Sequence, residues 1–191
     1  MKKLLKVIQL HTNESESKLI RKAKSNNKEA QQTIYEKYSP KMLSVCRYYI
    51  SDLQFAEDVM ITGFFKVFKN LKSFKNNGSF EGWIRKIMIR ESISFLRSYK
   101  QMVFIDEGEI PDQEITYDTD LETDKIQLLI DNMPTGYRTV FIMYVVEGFS
   151  HKEIAKTLNI SESTSKSQLH KAKKMLQEQL KTLNLKSNGT K

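Results

Sequence analysis

Cysteine occurs once among the 191 residues, at Cys46, so the chain can form neither an internal disulfide nor a multi-cysteine metal centre. Proline (3) and glycine (7) are scarce too, which argues against a turn-rich β protein and for long helices. No stretch approaches the ~20 apolar residues of a membrane span. The opening Met1–Leu5 looks like the start of an export signal, but Lys6, Gln9 and His11 interrupt it well short of the ~7–15 apolar residues such a signal needs. A reducing, cytoplasmic location without membrane insertion is the expectation. Catalytic patterns are equally thin. There is no glycine-rich phosphate loop, and three scattered histidines with one cysteine build no metal cage. Ser163-x-x-Lys166 lacks the companion motifs of acyl transfer, and His151-x-Glu153 is followed by no Pro-Cys-x-x-Cys. No enzyme activity, small-molecule substrate, metal or cofactor is expected.

Positive charge is plentiful. Lys plus Arg number 31 against 23 Asp plus Glu, a net +8, which suits a polyanionic partner such as nucleic acid. The distribution says more than the total. Residues 1–100 carry 20 basic and 9 acidic side chains, residues 101–124 carry nine acids and no Lys or Arg, and residues 125–191 carry 11 basic and 5 acidic. Two basic blocks therefore flank an acidic stretch without helical periodicity. That pattern predicts an all-α protein of two small helical domains joined by an acidic linker. The expected division is an N-terminal extension over 1–16, a helical domain over 17–100, a flexible linker over 101–124, a second domain over 125–183 and a tail over 184–191. The linker reads equally as a plain solvated spacer.

In the first block, Ala30, Ile34 and Tyr38 share a helical face that Pro40 is expected to interrupt, with Met42, Val45, Cys46 and Tyr49 beyond it. A second helix, Phe55 to about Leu71, carries an apolar stripe of Phe55, Val59, Met60, Phe64, Val67, Phe68 and Leu71. Ile61 and Phe65 make it apolar on a second side, which means burial between neighbours or a partner surface. Gly63 inside it suggests close packing. Lys69–Ser79 reads as a loop because Asn76-Asn77-Gly78-Ser79 is a turn signal. In the third helix, about Phe80 to Tyr99, Lys86, Arg90, Arg97 and Lys100 fall within about 80° of one another at ~100° per residue, bordered by Trp83 and Ile93. Ile84, Ile87, Met88, Phe95 and Leu96 face the core. Cations beside an Asn-rich loop and aromatic rings suit single-stranded nucleic acid, where cations track phosphates and rings stack on bases. A solvated face is the plainer reading.

The second block is sharper. Thr119-x-x-Glu122 can cap a helix carrying Ile126, Leu129, Ile130 and Met133, which Pro134 ends. Tyr137 to about Glu147 follows with Val140, Phe141, Tyr144 and Val145. Ser150-His151-Lys152-Glu153 is a capping box opening a short helix with Ile154, Ala155 and Leu158 inward. Asn159-Ile160-Ser161 makes a tight turn, with Asn159 suited to a left-handed conformation. A longer basic helix follows, with Leu169, Ala172 and Leu176 inward. Short helix, turn and basic helix predict a helix-turn-helix, although a charged helical hairpin has the same outline. Ser163, Lys166, Ser167, His170, Lys171, Lys173 and Lys174 would meet the major groove.

These motifs resemble the extracytoplasmic-function group of bacterial RNA polymerase sigma factors, over roughly residues 28–180. Ala56-Glu57-Asp58-Val59 and Phe64-x-Lys66-Val67-Phe68-Lys69-Asn70-Leu71 are similar to the helix that grips the polymerase clamp. Phe74-Lys75 and Ser79-Phe80-x-x-Trp83-Ile84-x-x-Ile87 resemble the loop and helix that read the −10 element. Met133-Pro134, Arg138-x-Val140-Phe141, Glu147-Gly148-Phe149-Ser150, Glu153-Ile154-Ala155 and Ser161-x-x-Thr164-Ser165-Lys166-Ser167-Gln168-Leu169 resemble the −35-reading domain. The resemblance implies a non-enzymatic specificity subunit with core polymerase and promoter DNA as partners, and an anti-sigma factor as a further expected one. It assigns Asp58, Ile61, Thr62, Phe65, Lys66 and Asn70 to the polymerase contact. Lys75, Asn76, Asn77, Ser79, Phe80, Trp83, Lys86, Arg90 and Arg97 fall to the −10 element, and Thr164 joins the −35 set named above. Ile61 and Thr62 depart from the family's usual Gln and acidic residue, and Ser165 stands where an apolar residue is usual, which predicts looser helix packing there. A stand-alone helix-turn-helix regulator that binds duplex DNA without polymerase is the competing class.

Overall fold

The structure, a computed structural model, describes residues 15–75, 77–99 and 122–188, and in the last segment the side chains of 127–181. All regular structure among the described residues is helical. Eight helices are assigned in chain order: α1 over 15–24, α2 Lys28–Tyr49, α3 Leu53–Asn70, α4 Phe80–Ser98, α5 Glu122–Asp131, α6 Thr135–Phe141, α7 His151–Leu158 and α8 Glu162–Asn188. They fall into two compact units, Met1–Cys46 with Gln54–Glu91, and Arg47–Leu53 with Ser92–Lys191. Most of the expected acidic linker and its Thr119 cap lie outside the described residues, as do Asn76 and Lys100.

The first unit contains a helix the periodicity reading left out. Ile20 and Ala23 of α1 are buried, and Glu16, expected in the extension, accepts hydrogen bonds from Lys37 Nζ (2.6 Å) and the Tyr38 hydroxyl. Asn26, in the left-handed conformation, ends the helix, and Asn27 Oδ1 caps α2 by accepting from the Ala30 N–H (2.8 Å). Pro40 does not interrupt α2. A proline forfeits one hydrogen bond of the ladder, but Tyr38, Met42 and Val45 on either side of it are buried and hold the helix in line. Rings lock α2 to its neighbours: Tyr35 meets Phe64 of α3 edge-on at 4.9 Å, and Tyr38 meets Phe80 of α4 at 5.7 Å. The expected loop after α3 begins with a 3₁₀ turn, Leu71–Ser73, whose Leu71 is buried.

On α4, Ile84 and Met88 are buried as expected, joined by Ile89. Ile93, expected beside the basic face, is buried as well, because the apolar stripe is wider than the basic one.

In the second unit, α8 packs across α5, α6 and α7. Met133, Tyr137 and Ala172 form a buried cluster extended by Phe141, Met175 and Leu176. The expected helix from Tyr137 to Glu147 changes character midway: α6 ends at Phe141 and a π-helical turn covers Ile142–Val146. The Glu147 N–H donates to the Ile142 carbonyl five residues back (3.0 Å). The wider turn rotates the inward face. Ile142 and Met143 are buried, whereas Tyr144 and Val145, expected in the core stripe, are exposed. Farther along, α8 continues to Asn188, past the expected start of the tail at 184.

Candidate nucleic-acid interface

Two candidate nucleic-acid surfaces and one apolar helix face carry the residues singled out above. The first is the loop before α4. Phe74 begins it with its ring buried against Phe80 (5.0 Å) and Trp83 (5.4 Å), and Phe80 stacks on Trp83 at 5.8 Å and 17°. Its far end is tied by the Gly82 N–H donating to Ser79 Oγ (3.2 Å) and the Trp83 N–H to the Ser79 carbonyl (3.1 Å). Gly78, at φ 111°, makes the reversal a side chain would resist. Beneath the loop opens a groove of about 340 Å³ lined by Phe74, Lys75, Asn77, Ser79, Trp83 and Lys86 among others. Its wall is aromatic and its rim cationic. Of the candidate −10 residues, Lys75, Asn77, Ser79, Lys86, Arg90 and Arg97 are exposed and Trp83 is half-buried. Phe80 is a correction: only 2% of it is exposed, so it backs the groove instead of meeting a ligand face-on. Its position as the first residue of an amphipathic helix, one turn before buried Ile84, turns it inward.

Opposite in character is α3. Val59, Met60, Phe64 and Val67 are buried, yet Ile61 (55%) and Phe65 (68%) are exposed one turn apart. The second apolar side of this helix is therefore a surface. Asp58, Thr62, Lys66 and Asn70 are exposed with it. Lys66 Nζ pairs with Glu91 of α4 at 2.6 Å, and Asn70 donates to the Lys66 carbonyl, so these two also secure the helix.

The second surface belongs to α7 and α8. The Ser150 hydroxyl accepts from the Glu153 N–H (3.3 Å) while the Glu153 carboxylate accepts from the Ser150 N–H (2.9 Å), completing the expected capping box. Asn159 adopts the left-handed conformation at φ 57°, ψ 48°. Ser161 caps α8 through the Thr164 N–H (2.9 Å) and bonds the Ser163 and Thr164 hydroxyls. Ser163, Lys166, Ser167, His170, Lys173 and Lys174 are exposed, and Thr164 and Lys171 are half-buried at the margins. Ser165 corrects an expectation. Instead of loosening the packing it is fully buried, and its hydroxyl is 2.9 Å from His151 Nδ1. A polar tie between the two helices replaces an apolar contact. His151 in turn stacks on Tyr144 at 4.6 Å, and the Lys173 ammonium lies 5.9 Å over that ring. Nothing in the residue pattern announced this cluster, since the π turn alone brings Tyr144 there.

Among the described residues no group of three or more His, Cys, Asp or Glu side chains is placed to hold a metal, and no helix is long and apolar enough to cross a membrane.

Comparison with known proteins finds two family regions in the chain. Residues 34–101 match the family description Sigma-70 region 2, and residues 123–176 match Sigma-70, region 4. The chain is 28% identical over 181 residues to the ECF RNA polymerase sigma factor SigW of Bacillus subtilis, covering 87% of this chain and 97% of that protein. It is 28% identical over 137 residues to the RNA polymerase sigma factor SigV of the same organism, covering 69% and 80%. Its fold is similar to that of the sigma factor RpoE from Bartonella quintana, solved in complex with the anti-sigma factor NepR. The TM-score is 0.52 at 19% identity, over 78% of this chain and 96% of that one. With the two regions matched in order over residues 34–101 and 123–176, together more than half of its length, the chain belongs to the extracytoplasmic-function group of the sigma-70 family of RNA polymerase sigma factors.

Proposed function

We propose that this sigma factor, in directing RNA polymerase to promoters, divides its work among three surfaces. The exposed α3 face around Asp58, Ile61 and Phe65 docks on the polymerase clamp. The groove beneath the Phe74–Phe80 loop captures an unpaired base of the −10 element, with Lys75, Lys86 and Arg90 along the strand, whereas Arg97 donates to the Thr157 carbonyl. The exposed side of α8, from Ser163 to Lys174, reads the −35 element. The acidic 101–124 stretch between the two basic blocks keeps off DNA because its nine carboxylates repel phosphates. The protein acts in the cytoplasm as a non-enzymatic subunit, and an anti-sigma factor restrains it.

The observation that carries this reading is the groove itself. Extruding a base from a duplex costs a few kcal/mol, and a half-buried indole between two lysines supplies stacking and charge where an unpaired base would enter. Trp83→Ala in the holoenzyme is expected to lose about 1–3 kcal/mol of affinity for single-stranded −10 DNA. Binding of the same variant to duplex −35 DNA stays as in the wild type. Equal affinity of both proteins for the single strand overturns the assignment.

A further inference from the structure

Lys24 holds the base-reading loop open from behind, and we infer that it is a positioning residue for −10 recognition. This rests on the groove reading above. Lys24 lies near the end of α1, fifty residues from the loop in sequence, and its half-buried side chain crosses to it. The Nζ donates a hydrogen bond to the Phe74 carbonyl (2.6 Å) and lies 5.7 Å over the Phe74 ring. The Phe74 N–H is taken by the Leu71 carbonyl (3.2 Å), and the ring is buried against Phe80 and Trp83. With Lys24 in place, both polar backbone atoms and the side chain of Phe74 are engaged. The loop therefore leaves a fixed post one residue before Lys75.

The need for such a strut follows from what lies behind the loop. A second cavity, of about 410 Å³, lies between α1 and the loop, lined by Glu16, Ser17 and Ile20 on one side and by Phe74, Gly78, Ser79 and Phe80 on the other. A Cβ on Gly78 would meet no atom within 4 Å, so this part of the loop borders open space. If the carbonyl were released, Gly78 and Ser79 would have room to settle toward α1, and the groove on the opposite side would change shape with them. The arrangement also decides against a plainer role for this cation. A lysine contacting phosphate keeps its ammonium toward solvent, whereas this one is spent on an internal carbonyl.

Trp83 is the only tryptophan in the chain and lines the groove, so its fluorescence reports the loop without a ligand. Lys24→Met keeps the aliphatic stem but removes donor and charge, and Lys24→Gln removes the charge and shortens the reach. Lys24→Arg restores donor and charge. In the full-length protein, Met and Gln variants are expected to show about twofold stronger acrylamide quenching of Trp83, because loss of one hydrogen bond frees the loop. Arginine is expected to return it to the wild-type value. Far-ultraviolet circular dichroism stays helical throughout. Holoenzymes are then compared on a promoter selected from random DNA by the wild-type holoenzyme, with each −10 base changed in turn. Lys24→Met flattens the preference at the captured base about fivefold, and Lys24→Arg keeps it. Unchanged quenching and unchanged base preference in Lys24→Met overturn the inference. So does a uniform loss of affinity whose salt slope falls by about one, the mark of a phosphate contact. Trp83→Ala is run alongside. If it keeps the −10 preference, the groove reading fails and takes this inference with it. If it loses the preference while Lys24→Met keeps it, the strut alone fails.

Discussion

Gly63 of α3 and Met88 of α4 meet so closely that a Cβ on the glycine would stand 2.3 Å from the methionine sulfur and 2.9 Å from its terminal methyl. The helix that carries the exposed Ile61–Phe65 face and the helix that carries Trp83 and Lys86 are thereby held in one register. Glycine inside a helix costs about 1 kcal/mol in propensity, so its presence here reflects the contact.

Gly63→Ala is accordingly expected to destabilise the protein despite the better helix former. The atoms met are the flexible end of Met88, but that side chain is fully buried and must repack within the core. Overpacking costs about 1–3 kcal/mol, set against a propensity gain of about 1 kcal/mol. Chemical denaturation is the check. Gly63→Ala with wild-type or higher stability would mean that the helices separate freely.

Phe65→Glu and Asp58→Arg are predicted to abolish co-purification with core polymerase. Both side chains are exposed, so stability should move by no more than about 0.5 kcal/mol. Undiminished co-purification of either variant would remove α3 from the polymerase contact.

Most of the second unit could be read from residue patterns, because capping is local chemistry. Ser150 with Glu153, and Asn159 in the turn, specify their geometry within four residues of chain. The π turn could not be read, since Ile142 and Met143 enter the core only after a widened turn that nothing in their own identity requires. Continuity through Pro40 was hidden for the opposite reason: burial on both sides outweighs a local penalty. The groove was half visible. The turn signal and the rings marked its place, and the spacing of Phe80 to Ile84 carried its inward turn, but the reach of Lys24 depends on a contact fifty residues away. Helix α1 left a trace that could have been followed, Ile20 and Ala23 at helical spacing before the Asn26–Asn27 break.

On α8, Lys166→Ala is expected to cost about 1–3 kcal/mol and relax preference at one −35 base pair. Lys173→Ala should weaken binding to every sequence and flatten the salt slope by about one. The check is titration of specific and random duplexes at several salt concentrations. Equal losses for both variants on both duplexes contradict the base-reading assignment of Lys166.

The contact between α1 and α2 should respond to pH. Burial opposes ionisation of Glu16, but hydrogen bonds from Lys37 and Tyr38 and the charge of Lys37 outweigh it and hold the carboxyl below its ordinary 4.5. Burial and the bond to Glu16 push the Tyr38 phenol up to about 12. A depressed carboxyl contributes stability above its unfolded pKa and loses it as pH falls through the folded value. A raised phenol contributes below 10.0 and loses it as pH rises toward about 12. Thermal unfolding should therefore be highest between these limits, and Glu16→Gln should make the acid-side decline shallower. An unaltered acid limb in Glu16→Gln would show that Glu16 contributes nothing there.

The central claim is that this chain gives core polymerase its promoter choice through the groove and the helix-turn-helix together. In vitro transcription with core polymerase from the source organism, with and without the protein, tests it most directly. The template is a promoter selected by the holoenzyme. The account predicts defined-start RNA only when the protein is present, in reduced yield with Trp83→Ala and with Lys166→Ala. Transcription indifferent to the protein, with the free protein protecting the same duplex unaided by polymerase, would contradict it.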